Sequence, residues 1–281
     1  MHSTTFVAAL LAASASAKPL LARAPSGFQT VTSAALAPTA TFQNATASSA
    51  SAPGALLGVP TAQPNPPTPS GLVAKLLTED TTVAKFKEIE ADIAAGAIKL
   101  NFDFNPAANP AVKAGEGGQV DLANRANFPV LTGLGISAAT IFFQPCGLNT
   151  PHIHPRATEF FTLVTDTKME TGFVLENGLV DEFNTTLTQF QGTVFPQGSI
   201  HWQQNLDCKP AVGVAGLNAE DPGASSIAQN FLINTSEDIV DAALGFPSQI
   251  DGSNFGAFKK NIPLSLSKGV EECLVRCGIP H

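Results

Sequence analysis

His152 and His154 stand two residues apart in the segment 146–160, CGLNTPHIHPRATEF. Alternate side chains of a β-strand share a face, so this spacing aims both imidazoles the same way. Glu159 follows five residues after His154 and would fall on the opposite face of an unbroken strand. Pro155 cannot donate to a strand ladder, so a break is predicted there, with a new strand opening near Glu159. Glu159, Phe161 and Leu163 then share one face, a carboxylate among apolar neighbours. An ionised carboxylate in that setting is costly without a partner or a metal. A second patch, 193–205 (TVFPQGSIHWQQN), carries His201 on a strand opened by Pro196 and Gly198. Ser199, His201 and Gln203 share one face of that strand, and Ile200 and Trp202 the other.

Three of the chain's five histidines can therefore meet one glutamate in one interior, while His2 and His281 lie at the termini. Three imidazoles and a carboxylate suit Mn, Fe or Zn, and carboxylate and water ligands tilt the set toward Mn. Spacing alone is equally compatible with interior histidines satisfied by hydrogen bonds. Tyrosyl chemistry is excluded, because the chain contains no tyrosine.

Strands must position these residues, and the punctuation of the chain supplies them. From about residue 129, short runs such as ISAATIFF, EFFTLVT, GFVLE, LVDEF, TTLTQF, SIHWQQ and AVGVAGL alternate with Gly, Pro, Asn and Asp. That is the pattern of a sandwich or barrel. Before it, 72–95 reads as helix. Asp80 is placed to cap a second segment, Val83, Phe86, Ile89 and Ile93 form one face, and Gly96 stops it. After residue 221 the pattern returns to helix, with Ser236 a cap for EDIVDAAL. The expected fold is mainly β, a single barrel with a preceding helix and a C-terminal helical extension.

The first residues read as targeting rather than fold. The apolar run FVAALLAA precedes Ala15-Ser16-Ala17, which fits a signal peptide over 1–17. Residues 18–70, rich in Ala, Ser, Thr and Pro, show no sustained period and read as a disordered stalk. A helical lead-in at 71–100, a barrel at 101–220 and the extension at 221–281 complete the expected organisation. An even set of cysteines and three sequons, at Asn44, Asn184 and Asn234, agree with secretion to the extracellular space or cell wall. With 15 basic and 23 acidic residues the net charge is −8, which argues against nucleic acid. At 44% hydrophobic and 14% charged, the chain is too apolar for full disorder. No apolar run reaches the 18 residues or so of a membrane span.

The stretch PHIHPRATE, with Pro196-x-Gly198-x-x-His201-x-x-x-Asn205 downstream, resembles the two boxes of the germin branch of the cupins. Within that branch it is most similar to the fungal and slime-mould spherulin-like proteins. The resemblance covers roughly residues 101–277 and implies a jelly-roll β-barrel. It also implies Mn held by His152, His154, Glu159 and His201, and Asn149 facing the substrate as in the oxalate-oxidising members. The implied activity is a secreted Mn oxidoreductase acting on superoxide or oxalate. The alternative is a non-catalytic wall, spore or cyst protein with a structural metal. The resemblance further implies a homo-oligomer clasped through the C-terminal helices. Two family glycines at turns are replaced here, by Asp166 and Phe190, which bears on loop shape and pocket access. Only one box pair is present, so a two-barrel decarboxylase is not expected.

Cys146 precedes the first ligand strand and Cys208 follows the last, while Cys273 and Cys277 lie one helical turn apart. Strands lining one site bring their flanks together, which favours Cys146–Cys208 and Cys273–Cys277. A zinc site from the four is the alternative, less expected in a secreted chain.

Overall fold

The computed structural model describes residues 62–179, 181–245, 253–263 and 266–280. The expected signal peptide, most of the stalk and Asn44 lie outside these residues. The stalk does not run to residue 70. The Gln63 amide donates to Asp103 Oδ2 at 2.7 Å, and Asn65 Nδ2 reaches Asp103 O and Asn109 Oδ1, each at 2.8 Å. These polar side chains give a proline-rich stretch a reason to order that composition cannot reveal.

The lead-in forms α1 (Leu72–Thr78) and α2 (Thr82–Ala94). The cap of α2 is Thr81, whose Oγ1 accepts from Ala84 N at 3.0 Å, and not the expected Asp80. The expected apolar face is half used. Ile89 is buried with Leu72, Leu76, Ile98 and Val130, whereas Val83 and Phe86 are exposed. Ile93 packs partly against the same small core, so the inner half of the stripe is used and the half nearer the start of α2 is exposed among the described residues.

The strands are β1 (Gly118–Ala123), β2 (Ser137–Phe143), β3 (Gly147–Ile153), β4 (Glu159–Leu163), β5 (Met169–Val174), β6 (Phe183–Leu187), β7 (Gly192–Phe195), β8 (Ile200–Asn205), β9 (Ala211–Leu217), β10 (Ser225–Ser226) and β11 (Ser267–Lys268). They build two antiparallel sheets, one ordered β1-β2-β9-β4-β7 and the other β10-β3-β8-β5-β6, with β11 also on β3. This is the mainly β, jelly-roll architecture expected. Alternation along β2, β4 and β9 turns Ile141, Phe143, Phe161, Leu163 and Leu217 inward to one core with Met169, Leu187 and Phe195. β1 escaped the sequence reading. Both its faces are covered: Val120 and Leu122 pack on the core, while Gln119 and Asp121 are buried on the other side.

Both departures from the family glycines are outside the core. Asp166 is exposed in the β4–β5 turn. Phe190, 76% exposed, adopts the left-handed conformation a glycine would favour, with φ 64°.

The C-terminal part contains α3 (Glu237–Ala243), α4 (Phe255–Lys259) and α5 (Glu271–Arg276), as its helical pattern implied, and also returns to the sheet. Ser226 pairs with His152, and Ser267 with Leu148. Gly117 permits the second return, because a Cβ there would stand 1.8 Å from Ser267 O. The expected disulfides are corrected: Cys146 pairs with Cys273 and Cys208 with Cys277. The flanks of β3 and β8 do adjoin, since Cys146 N donates to Asp207 O at 3.1 Å. However, α5 lies against both. Side chains one turn apart on a helix have Cβ atoms about 5–6 Å apart, beyond the roughly 3.5–4.5 Å a disulfide spans. Each cysteine of α5 therefore reaches a different flank. No helix among the described residues is long and apolar enough to cross a membrane.

Candidate metal centre

The site is built on the pairing of β3 with β8, where His152 stands opposite His201 and Asn149 opposite Gln203. His152 is three positions after Asn149 but His201 only two before Gln203, so β3 carries a bulge there. The odd spacing would put Asn149 and His152 on opposite faces of a regular strand. The extra residue lets both line one cavity of about 220 Å³, together with Thr150, His154 and Glu159. His154 follows the last residue of β3, and Glu159 opens β4 as the proline break predicted.

The intervening turn is held from outside. Thr158 N donates to Asn218 Oδ1 at 2.8 Å, and Arg156 N to Pro222 O at 3.1 Å. The Arg156 guanidinium meets Asp221 Oδ1 at 3.0 Å. These bonds position the chain between two predicted ligands without entering the cavity.

His152, His154, Glu159 and His201 are all buried, and one ligand atom from each lies within 4.8 Å of the others. Each imidazole is oriented through Nδ1 by a main-chain carbonyl. Those carbonyls belong to Thr150 at 2.8 Å, Gly223, and Ser199 at 3.0 Å. A carbonyl only accepts, so each Nδ1 carries a hydrogen, and in the neutral imidazole Nε2 is the atom that offers a lone pair to a cation. Glu159 Oε2 lies 2.8 Å from His154 Nε2 and 3.5 Å from His201 Nε2. His201 Nε2 is buried with no hydrogen-bond partner. Phe195 stacks on the His201 ring at 4.4 Å, which fixes the plane of the imidazole.

The electrostatics resist filling this space with protons. Burial, with His201 beside it, pushes His152 down to about 3. Burial disfavours charge on Glu159 as well, but the hydrogen bond with His154 and the nearby imidazole of His201 outweigh it and bring the carboxyl to about 2. Burial also opposes charge on His154, yet the hydrogen bond and charge of Glu159 hold it above the ordinary histidine value. The set includes one carboxylate, one imidazole, His154, sharing a proton with it, and His152, which burial keeps neutral. An orphaned, buried, inward-facing nitrogen in such a set fits a cation.

Asn149 lines the same cavity, with Nδ2 donating to Gln203 Oε1 at 2.7 Å. Gln229 was missed. It lines the cavity from the π-helical turn Gln229–Asn234, in a stretch whose pattern announced only the start of the helical tail.

Residues 104–251 match the family described as Cupin. The chain is 34% identical to Spherulin-1A of Physarum polycephalum over 207 residues, 74% of this chain and 79% of that one. It is 39% identical to putative germin-like protein 8-1 of Oryza sativa subsp. japonica over 136 residues, 48% of this chain and 61% of that one. Among solved structures, an oxalate oxidase superposes with a TM-score of 0.47 at 25% identity, covering 53% of this chain and 76% of the other.

Proposed function

The chain belongs to the cupins, as a germin-like member close to the spherulins, and on that premise we propose that it is a secreted manganese oxidoreductase acting on a small anion. Superoxide and oxalate are the candidate substrates. The observation that carries the reading is the convergence of His152, His154, Glu159 and His201, with an unpartnered His201 Nε2, beside a cavity. The four side chains would hold one Mn, whose change between two oxidation states supplies the electron chemistry. Three nitrogens and one oxygen from the chain would leave the metal room to take water or substrate. Asn149 would orient a bound anion, itself held by Gln203. Glu159 supplies the single negative ligand.

Secretion is supported by two disulfides, which persist in oxidising compartments. Asn184 and Asn234 are both exposed, as glycan acceptors must be. The C-terminal helices remain the proposed contact between protomers.

The test is elemental analysis and electron paramagnetic resonance of the secreted protein and of His201→Ala, with superoxide and oxalate assays. One Mn per chain in the wild type, lost in the variant, and turnover of either anion are expected. Full Mn retention by His201→Ala would refute the ligand set. Stoichiometric Zn without either activity would instead support a structural metal in a wall, spore or cyst protein.

A further inference from the structure

The cavity beside the ligand group is larger and more apolar than a small inorganic anion requires. Its volume of about 220 Å³ corresponds to roughly seven waters at about 30 Å³ each. Val120 and Leu122 of β1, Ile141 of β2, Leu217 of β9 and Leu266 beside β11 form its apolar walls. Among the lining residues there is no lysine or arginine, and Glu159 is the one carboxylate. A divalent ion held by that carboxylate and by imidazoles, which ligate only in the neutral form, would leave a net charge of +1. A monoanion cancels this charge, whereas a dianion reverses it inside an apolar chamber, where uncompensated charge is costly.

Gln229 adds a directional element. It is 9% exposed, and its Nε2 donates to Pro263 O, which settles the orientation of the amide. Its Oε1 is then a buried acceptor without a partner. A buried acceptor left unpaired is destabilising, and a donor on an occupant would satisfy it.

We infer that the cavity takes a monoanionic organic acid of about five carbons, with its apolar chain along β1, β2 and β9 and a hydroxyl or amide hydrogen received by Gln229. The inference rests on the metal reading, because the acid group is assigned to the ligand cluster. Of the two candidate anions, it disfavours the oxalate dianion. Gln229 becomes a specificity-determining residue, and the C-terminal segment that carries it becomes part of the binding site.

Calorimetric titration of the secreted, manganese-loaded chain with acetate, pentanoate, 5-hydroxypentanoate and oxalate tests this, with metal content measured on every sample. Pentanoate should bind roughly 50-fold tighter than acetate, at about 0.8 kcal/mol for each of three added methylenes. The terminal hydroxyl should add a further factor of about five, one hydrogen bond of about 1 kcal/mol. Gln229→Leu should remove the hydroxyl preference and keep the chain-length preference. Leu122→Phe should narrow the chamber and lose pentanoate while retaining acetate and metal. Equal affinity for acetate and pentanoate, oxalate binding tighter than pentanoate, or a hydroxyl preference surviving in Gln229→Leu would overturn the inference. A wild type without metal would instead refute the proposed function. The chamber is then probed with neutral 1-pentanol by saturation-transfer NMR. A signal abolished by Leu122→Phe supports the apolar body, and no signal in the wild type overturns it.

Discussion

At the scale of single residues, His154 and Glu159 make metal capture a competition with a proton. Without metal, His154 Nε2 lies 2.8 Å from Glu159 Oε2, and the carboxylate holds the imidazole above its ordinary value. A cation bound at that nitrogen must displace the proton, so affinity falls as pH falls. The fall should be centred above the ordinary histidine value of about 6.5. His152, pushed down to about 3, contributes nothing to this window. Glu159→Gln removes the carboxylate that raises His154 and also removes a ligand. Manganese affinity at neutral pH should drop by at least about 100-fold, more than the roughly 10–100-fold typical of outer-shell partners. The midpoint of the remaining pH dependence should move down. Titrating Mn²⁺ into the protein while following the free aqua ion by electron paramagnetic resonance, from pH 5 to 8, reads both effects. An unchanged midpoint in Glu159→Gln would exclude the shared proton.

Among the elements, β1 and the β6–β7 turn each carry a local conflict with a measurable consequence. Asp121 of β1 is fully buried beneath the segment that bears Asn109. Burial raises its carboxyl to about 6 against the hydrogen bonds of Gln119 and Asn109. The folded state therefore holds this proton more tightly than the unfolded chain does. The associated stability is complete below about pH 4 and is lost as pH rises through about 6. Asp121→Asn should remove that slope and raise stability at pH 7 by on the order of 2 kcal/mol. Urea unfolding of both proteins between pH 4 and 7.5 checks the difference, which isolates Asp121 from the metal centre. Phe190 pays for its left-handed backbone with no buried contact, being 76% exposed at φ 64°. The strain of such a residue is about 1–2 kcal/mol. Phe190→Gly should stabilise the fold by about 1 kcal/mol after the entropy a glycine adds to the unfolded chain. Metal content should be unchanged, because Phe190 does not line the cavity. A lower urea midpoint in Phe190→Gly would show that the side chain makes a contact worth more than the strain.

For the whole molecule, the C-terminal segment is a structural part of the site rather than an appendage. It pairs with β3 at His152, supplies the carbonyl of Gly223 to His154, and is tied back by Cys146–Cys273 and Cys208–Cys277. The two disulfides differ in access. Cys146 and Cys273 are buried, whereas Cys208 is exposed. Mild reduction should therefore open Cys208–Cys277 first, with Cys146–Cys273 resisting until the domain unfolds. Cys146→Ser with Cys273→Ser should cost about 2–5 kcal/mol and more than the corresponding change at Cys208 and Cys277. Peptide mapping after graded reduction, alongside thermal unfolding of the two double variants, reads order and cost. Preferential reduction of the buried pair would contradict this arrangement.

Local chemistry in the sequence was enough to single out His152, His154, Glu159 and His201 as a group, and to determine the break at Pro155, the shared face of Ser199, His201 and Gln203, and the β character of the barrel. Each follows from the period of two along a strand and from the geometry of proline, properties that act over a few residues. Tertiary contact decided the rest. The bulge that brings Asn149 to the cavity is a feature of the pairing of β3 with β8, two strands whose sequences lie about 50 residues apart. β1 was illegible because its polar face is buried, with Asn109 of the preceding segment against Asp121, so polarity no longer marked the solvent side. The disulfide partners were set by where α5 lies, and helix spacing alone excludes the bridge between its own cysteines. Gln229 reaches the cavity from a stretch with no strand period and no ligand spacing. Its role depends on the path of the chain after β10, and short-range pattern does not encode that path.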